Sequence, residues 1–203
     1  MSSLTLLNEE QRDVLQEIMN IAMGQAADKL AQLTNTFVTL SVPKVHATHR
    51  LDATSLPASL PQGPASIVTR QSFLGKFRGE VFVCFGNGGA DQLAELMGYD
   101  PLPGVENDEL MLDVTNILSG SCIAGLAEQV SAQVTYDAPS ILDRGKSFQE
   151  SLLSHTLRDH QALVLEIRFE IETHQFSCDL LVCITESTVA TVIEAIDRLV
   201  NDL

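Results

Sequence analysis

Basic residues are scarce in this chain. Lysine and arginine number 12 against 27 acidic residues, a formal net charge of −15 over 203 residues. Phosphate-backbone binding depends on clustered Lys and Arg. No basic run occurs, so neither nucleic acid nor an anionic membrane surface is an expected partner. The four cysteines, Cys84, Cys122, Cys178 and Cys183, form no C-x-x-C pair. They lie in apolar strand-like or helix-like runs, which reads as buried free thiols in a reducing compartment. No run approaches ~18 consecutive apolar residues, so no membrane span is expected. The N-terminal stretch MSSLTLLNEEQRD has no basic n-region and no long apolar core. No signal peptide is expected, and the expected location is the cytoplasm.

Familiar catalytic patterns are missing too. No Cys/His/Asp set or G-x-S-x-G elbow supports a nucleophile. The 86-GNGG-89 turn lacks the Lys-Ser/Thr of a P-loop and reads as a plain strand-to-helix turn. His46 and His49, like His155 and His160, sit in polar segments without a clear third ligand, so no metal site or bound cofactor is expected.

What is present is an ordinary apolar fraction of 45%, enough for a sizeable core, and a helical stretch over 13–33 with a narrow polar stripe. Asp13, Glu17 and Asn20 fall at i, i+4 and i+7, on one side of a helix with ~3.6 residues per turn. Val14, Ile18, Ile21 and Leu33 fall roughly opposite, with Leu15 and Ala22 beside them, and are expected to face a core. Gly24, Ala27 and Ala31 continue near the polar stripe and put nothing bulky in the way of a partner. Met19 and Met23 read as edge packing within reach of one.

The stretch recurs. Asn20 and Asn116, Gly24 and Gly120, and Pro43 and Pro139 are each 96 residues apart. Asp113 stands in place of Glu17 and Glu109 in place of Asp13. The run 81-VFVCF-85 resembles 180-LLVCI-184, with Cys84 and Cys183 separated by 99 residues. Internal repetition decides a fold before other signals are read.

The pattern along the chain predicts a helix over 7–33 capped by Asn8, with Thr34-Asn35 ending it. A strand over 36–43 is closed by Pro43, and an irregular polar excursion covers 44–62. A hairpin of strands over 64–73 and 78–85 follows, then a helix over 90–97 and a linker over 98–104. The second half repeats the order: helix 106–129, strand 131–139, a polar and less regular stretch 140–160, a hairpin of strands 162–173 and 176–185 turning at His174-Gln175, and helix 186–203. The alternation of 165-LEIRFEI-171 predicts one wet face. Blocks of adjacent strands imply an antiparallel sheet and an α+β class. The expectation is one domain over 1–203 made of two αβββα repeats, about 1–100 and 101–203. It would have a six-stranded sheet about a pseudo-twofold axis, with helices on one face.

The pattern [Asp/Ser]-x3-Glu-x2-Asn-x22-Pro, met by Asp13, Glu17, Asn20 and Pro43, resembles the signature of the CheC-type chemotaxis phosphatases, the family of CheC, CheX and FliY. The run 17-EIMNIAMGQAADKLAQL-33 looks like that family's first helix, and 113-DVTNILSGSCIAGLAEQ-129 like the second helix of its two-site members, CheC above all. The resemblance implies hydrolysis of the aspartyl phosphate of a CheY-like response regulator. Mg²⁺ would be carried by that partner and not by this chain. An acyl phosphate has a good leaving group, so placing a water in line is the main task. A carboxamide suits it because it donates and accepts without titrating. The resemblance assigns water orientation to Asn20 and pairing with the regulator's lysine to Glu17, with Asp13 and Pro43 supporting. The second copy, Asp113 and Asn116 with Glu109 and Pro139, departs from the pattern. Asp113 is shorter than Glu by ~1.5 Å, so turnover with a weaker salt bridge and binding without turnover both fit. A regulator's pocket is itself acidic, so attachment would rely on its lysine and metal locally. The alternative is a non-catalytic docking module that binds a response regulator or a CheD-like deamidase through the same helix face.

Overall fold

The computed structural model describes residues 7–48, 56–65, 67–99, 107–129, 131–155, 162–171 and 176–201. His49, His160, the turn at His174-Gln175 and most of the expected linker lie outside the described residues. The elements are α1 (Glu9–Thr34), β1 (Thr39–Leu40), β2 (Lys44–Thr48), β3 (Ile67–Gly75), β4 (Gly79–Phe85) and α2 (Gly89–Leu96) in the first half. The second half holds α3 (Asp108–Gln129), β5 (Val134–Tyr136), β6 (Ser140–Arg144), α4 (Phe148–His155), β7 (Ala162–Ile171), β8 (Phe176–Thr185) and α5 (Glu186–Asn201).

α1 starts where its cap predicts. The Asn8 side chain accepts from the Gln11 backbone N–H at 2.8 Å, and Gln11 Oε1 accepts from the Asn8 N–H at 2.9 Å. This reciprocal box satisfies two of the orphan donors of a helix N-terminus. Asn35 ends the helix in the left-handed region, φ 49°, which Asn tolerates better than most residues.

The strands make one antiparallel sheet, ordered β1-β7-β8-β4-β3-β5, with β2 also on β7 and β6 also on β3. The class is α+β, as expected, but the strands number eight among the described residues, not six. Each outer strand is split near its proline. Leu40 pairs with Phe169 and Lys44 with Glu166, so four steps on the outer strand oppose three on β7. Tyr136 pairs with Phe73 and Ser140 with Arg70, again four steps against three. The extra residue forms a bulge, and Pro43 and Pro139, which have no N–H to offer a ladder, fit there. The expected loop over 44–62 therefore begins with a strand. Register repeats at an offset of 96: every partner in Leu40–Phe169 and Lys44–Glu166 corresponds to one in Tyr136–Phe73 and Ser140–Arg70. Each half thus lends its split strand to the hairpin of the other half.

α1 and α3 lie against each other over one face of the sheet. A Cβ at Gly125 would stand 2.5 Å from Ala22 Cβ, so glycine is what lets the two helices touch. Beneath them Leu15, Met19, Met23, Leu30, Val114, Leu118 and Leu126 meet Val83, Leu165, Ile167 and Val182 in the main core. Met19 and Met23 are wholly buried and belong to this core instead of an accessible edge. α3 is long and apolar enough to cross a membrane by length and composition alone, although polar residues interrupt it, and 61% of its most apolar window is buried within the protein.

The opposite face carries a second, smaller core of Val68, Phe82, Cys84, Leu181 and Cys183, covered by Leu60, Ala65, Phe148 and Leu152. The stretch expected to be irregular over 140–160 holds β6 and α4, and α4 sits on this face, so helices are not confined to one side. All four cysteines are free and buried. In 165-LEIRFEI-171, Arg168 and Glu170 are exposed as the alternation predicts, but Glu166 is buried. Its carboxylate accepts from Ser59 Oγ at 2.8 Å and lies 3.3 Å from His46 Nε2.

Candidate functional site

The stripe on α1 faces solvent. Asp13, Glu17, Asn20 and Gly24 are all exposed, while Leu15, Ile18, Met19, Ala22 and Met23 on the other side are buried. The run 13–24 therefore divides into a wet and a dry side, as helical spacing requires. Three expected positions fall differently. Ile21, expected in the core, is 47% exposed and lies next to Asn20, adding an apolar shoulder to the polar stripe. Ala27 is buried and Ala31 half-buried, so the open part of the stripe ends at Gly24. A Cβ at Gly24 or at Gly120 would meet nothing within 4 Å.

No hydrogen bond or ion pair among the described residues engages the side chains of Glu17 or Asn20. Both project from the middle of a helix that is capped at one end and packed along its dry face. Residues three apart on a helix are ~5–6 Å apart at Cβ, so a carboxylate and a carboxamide can enter one pocket together. Pro43 is buried at the β1–β2 bulge.

α3 carries the second stripe. Glu109, Asp113 and Asn116 are exposed, and Pro139 is half-buried. The helix start is tethered by an Arg144–Asp108 ion pair. Here the carboxamide is not free. Asn116 Oδ1 accepts a hydrogen bond from Gln71 Nε2 at 2.8 Å, and the same nitrogen donates to the Asp137 carbonyl at 2.9 Å. Gln71 is only 1% exposed. Tyr136 adds a second difference: its hydroxyl donates toward the Gly120 carbonyl at 3.4 Å. Burial pushes the Tyr136 phenol above its usual pKa, which keeps it a neutral donor.

Sequence reasoning missed Gln71 and Tyr136. The repeat itself could have found Gln71. Carried onto the strands at the same offset of 96, it aligns Gln71 with Ile167 and Thr69 with Leu165, two polar residues where the other half is apolar. His46, weighed as a metal ligand, instead pairs with Glu166 on the edge of the sheet.

Fold and stripes together define an α+β protein with two solvent-facing polar helix stripes. Residues 10–46, which include Asp13, Glu17, Asn20 and Pro43, match the model of the CheC-like family. The chain is 27% identical over 187 residues to the CheY-P phosphatase CheC of Bacillus subtilis (strain 168), covering 86% of this chain and 87% of that one. Among solved structures it is similar to Thermotoga maritima FliY, with a TM-score of 0.65, 20% identity, and 95% and 98% of the two chains covered. It is also similar to the FliM middle domain of H. pylori, with a TM-score of 0.60, 10% identity, and 93% and 99% covered. These matches bear out the resemblance to the CheC-type family.

Proposed function

We propose that this protein is a phosphatase that hydrolyses the aspartyl phosphate of a CheY-like response regulator. The observation that carries the reading is the free, exposed pair Glu17 and Asn20 on α1, within the stretch that matches the CheC-like family. The name of the B. subtilis relative, a CheY-P phosphatase, supports the same substrate class.

In this mechanism α1 enters the regulator's phosphorylation pocket. Glu17 pairs with the regulator's lysine and fixes the depth and angle of docking. Asn20 holds a water in line with phosphorus. The water oxygen bonds to phosphorus as the bond to the regulator's aspartate breaks, and the carboxylate leaves with its electron pair. The water's protons remain with phosphate and solvent. Mg²⁺ is the partner's, held in its own acidic pocket, and neutralises charge there. The rigid, capped helix supplies positioning, the largest contribution such a site can make to an acyl phosphate that already leaves well. Asp13 lies one turn before Glu17 and supports the stripe. The net charge of −15 gives no long-range attraction to an acidic pocket, so a weak, transient complex follows.

The engaged carboxamide of Asn116 favours a second reading, a docking module that binds a regulator or a CheD-like deamidase without turnover. The two readings differ in stoichiometry. Response regulators charged with a small phosphodonor are mixed with substoichiometric amounts of the protein, and phosphate release is followed. Clearance of a large excess of one regulator supports the phosphatase. Binding without accelerated release from any regulator overturns it in favour of docking.

A further inference from the structure

Asn20 and Asn116 occupy equivalent places on α1 and α3, yet the sheet beneath them differs. Under α3 stand Thr69 and Gln71, and the equivalent residues of β7 are Leu165 and Ile167. Gln71 is locked by the bulge at Pro139. The Asp137 carbonyl can only accept, so the atom facing it at 2.9 Å must be the Gln71 amino nitrogen. Reversing the Gln71 amide would set two oxygens against each other. The second proton of that nitrogen goes to Asn116, whose facing atom is therefore Oδ1. Gln71 Oε1 is left buried without a partner, a cost the fold accepts. Ile167, wholly buried in the core, has nothing to donate, and no hydrogen bond among the described residues holds the Asn20 carboxamide.

We infer that Gln71 is a positioning residue that holds the Asn116 carboxamide with its oxygen turned toward the sheet and its NH₂ outward, so that the α3 face captures a phosphoryl group while turnover belongs to the α1 face. The inference rests on the phosphatase reading. A group that accepts one of the attacking water's protons aims the opposite lone pair at phosphorus and raises its electron density. The oxygen of Asn20 is free to do this. At Asn116 the oxygen is turned toward Gln71 and away from an approaching regulator, so the group presented outward is the NH₂, which cannot accept a water proton. An outward NH₂ suits a phosphoryl oxygen instead, which only accepts. Asp113, shorter than Glu17, anchors that face less deeply.

The test isolates the α3 face by Asn20→Ala and then releases Asn116 by Gln71→Ile, which copies the residue at position 167. Gln71→Met is the second variant, and circular dichroism and a cooperative melt establish that each is folded. Phosphate release from a regulator charged with a small phosphodonor is measured for the wild type, N20A, N20A/Q71I and N20A/Q71M. N20A is expected to lose most turnover, and removing Gln71 is expected to return at least roughly tenfold through kcat with KM little changed. A merely structural role for Gln71 predicts no gain. Side-chain amide NMR of the wild type is expected to show a rigid Asn116 NH₂ and a mobile Asn20 NH₂. The inference is overturned if N20A keeps half or more of the wild-type rate, if the folded N20A/Q71I and N20A/Q71M proteins stay inactive, or if the Asn116 NH₂ is as mobile as that of Asn20. A wild type inactive on every regulator overturns the phosphatase reading and the division of turnover with it, and the NMR comparison then decides the hold of Gln71 alone.

Discussion

Thr69 on β3 and Thr115 on α3 share a hydrogen bond of 2.7 Å with both side chains wholly buried. The Thr115 hydroxyl also lies 2.7 Å from the Met111 carbonyl, so it donates to Met111 and accepts from Thr69. The Thr69 hydroxyl has otherwise only the Val83 carbonyl at 3.4 Å. Replacing Thr115 by Val strands the Thr69 hydroxyl and is expected to cost about 1–3 kcal/mol. The double variant Thr69→Val/Thr115→Val removes both polar groups and is expected to cost less than the sum of the two single changes. Urea unfolding of the four proteins in the cycle measures this. Strict additivity contradicts the coupling.

Two glycines on the helix pair are predicted to behave oppositely. Gly24 is exposed in mid-helix with open space where a Cβ would go. Gly24→Ala is expected to raise stability by about 0.5–1 kcal/mol. Because that Cβ lies on the face proposed to meet the regulator, the same variant is expected to lower turnover. Gly125→Ala pushes a Cβ to 2.5 Å from Ala22, and is expected to lose about 1–3 kcal/mol by forcing the helices apart. Thermal melts and regulator dephosphorylation, run side by side, separate the two effects.

Asp179 supplies a pH dependence. Burial raises its pKa to about 6 against Arg168, which lowers it, while Glu166 and Glu170 raise it further. A raised carboxyl pKa means the folded state holds the proton more tightly than the unfolded chain. Stability is therefore lost as pH rises from about 4 to about 6 and stays reduced above that. Asp179→Asn is expected to gain about 1–3 kcal/mol over the wild type at pH 7 relative to their difference at pH 4. Glu166 works in the opposite sense at lower pH. Burial pushes its pKa up, but bonds from His46 and Ser59 and the charge of Lys44 more than offset this, so its contribution is lost as pH falls through the acid range. Denaturant melts of wild type and D179N across pH 4–7 test the sign. An unchanged gap between them contradicts it.

The features legible in the sequence were those set by neighbours along the chain. Asn8 as a cap, the two hairpins and the wet stripe of Asp13, Glu17 and Asn20 all follow from local spacing. What stayed hidden depends on partners far away in sequence. Ile21 reads as core from its place on the helix, yet it stands 47% exposed. Met19 and Met23 read as edge residues until the sheet beneath α1 is known. Lys44–Thr48 and Ser140–Arg144 are strands because β7 and β3 offer them edges past a proline bulge. Glu166 breaks the expected wet face because Ser59 and His46 fold over it. Gln71, one of the successive polar residues Thr69–Ser72 of β3, acquires meaning only when the register sets it under Asn116.

The most direct test of the central claim is the rate at which catalytic amounts of this protein discharge a phosphorylated regulator when Asn20 alone is changed. Asn20 is exposed and unengaged, so Asn20→Ala is expected to fold with unchanged circular dichroism and melting. The discharge rate is predicted to fall by about two orders of magnitude, with regulator binding retained through Glu17. A folded N20A protein that discharges the regulator as fast as the wild type would contradict the account.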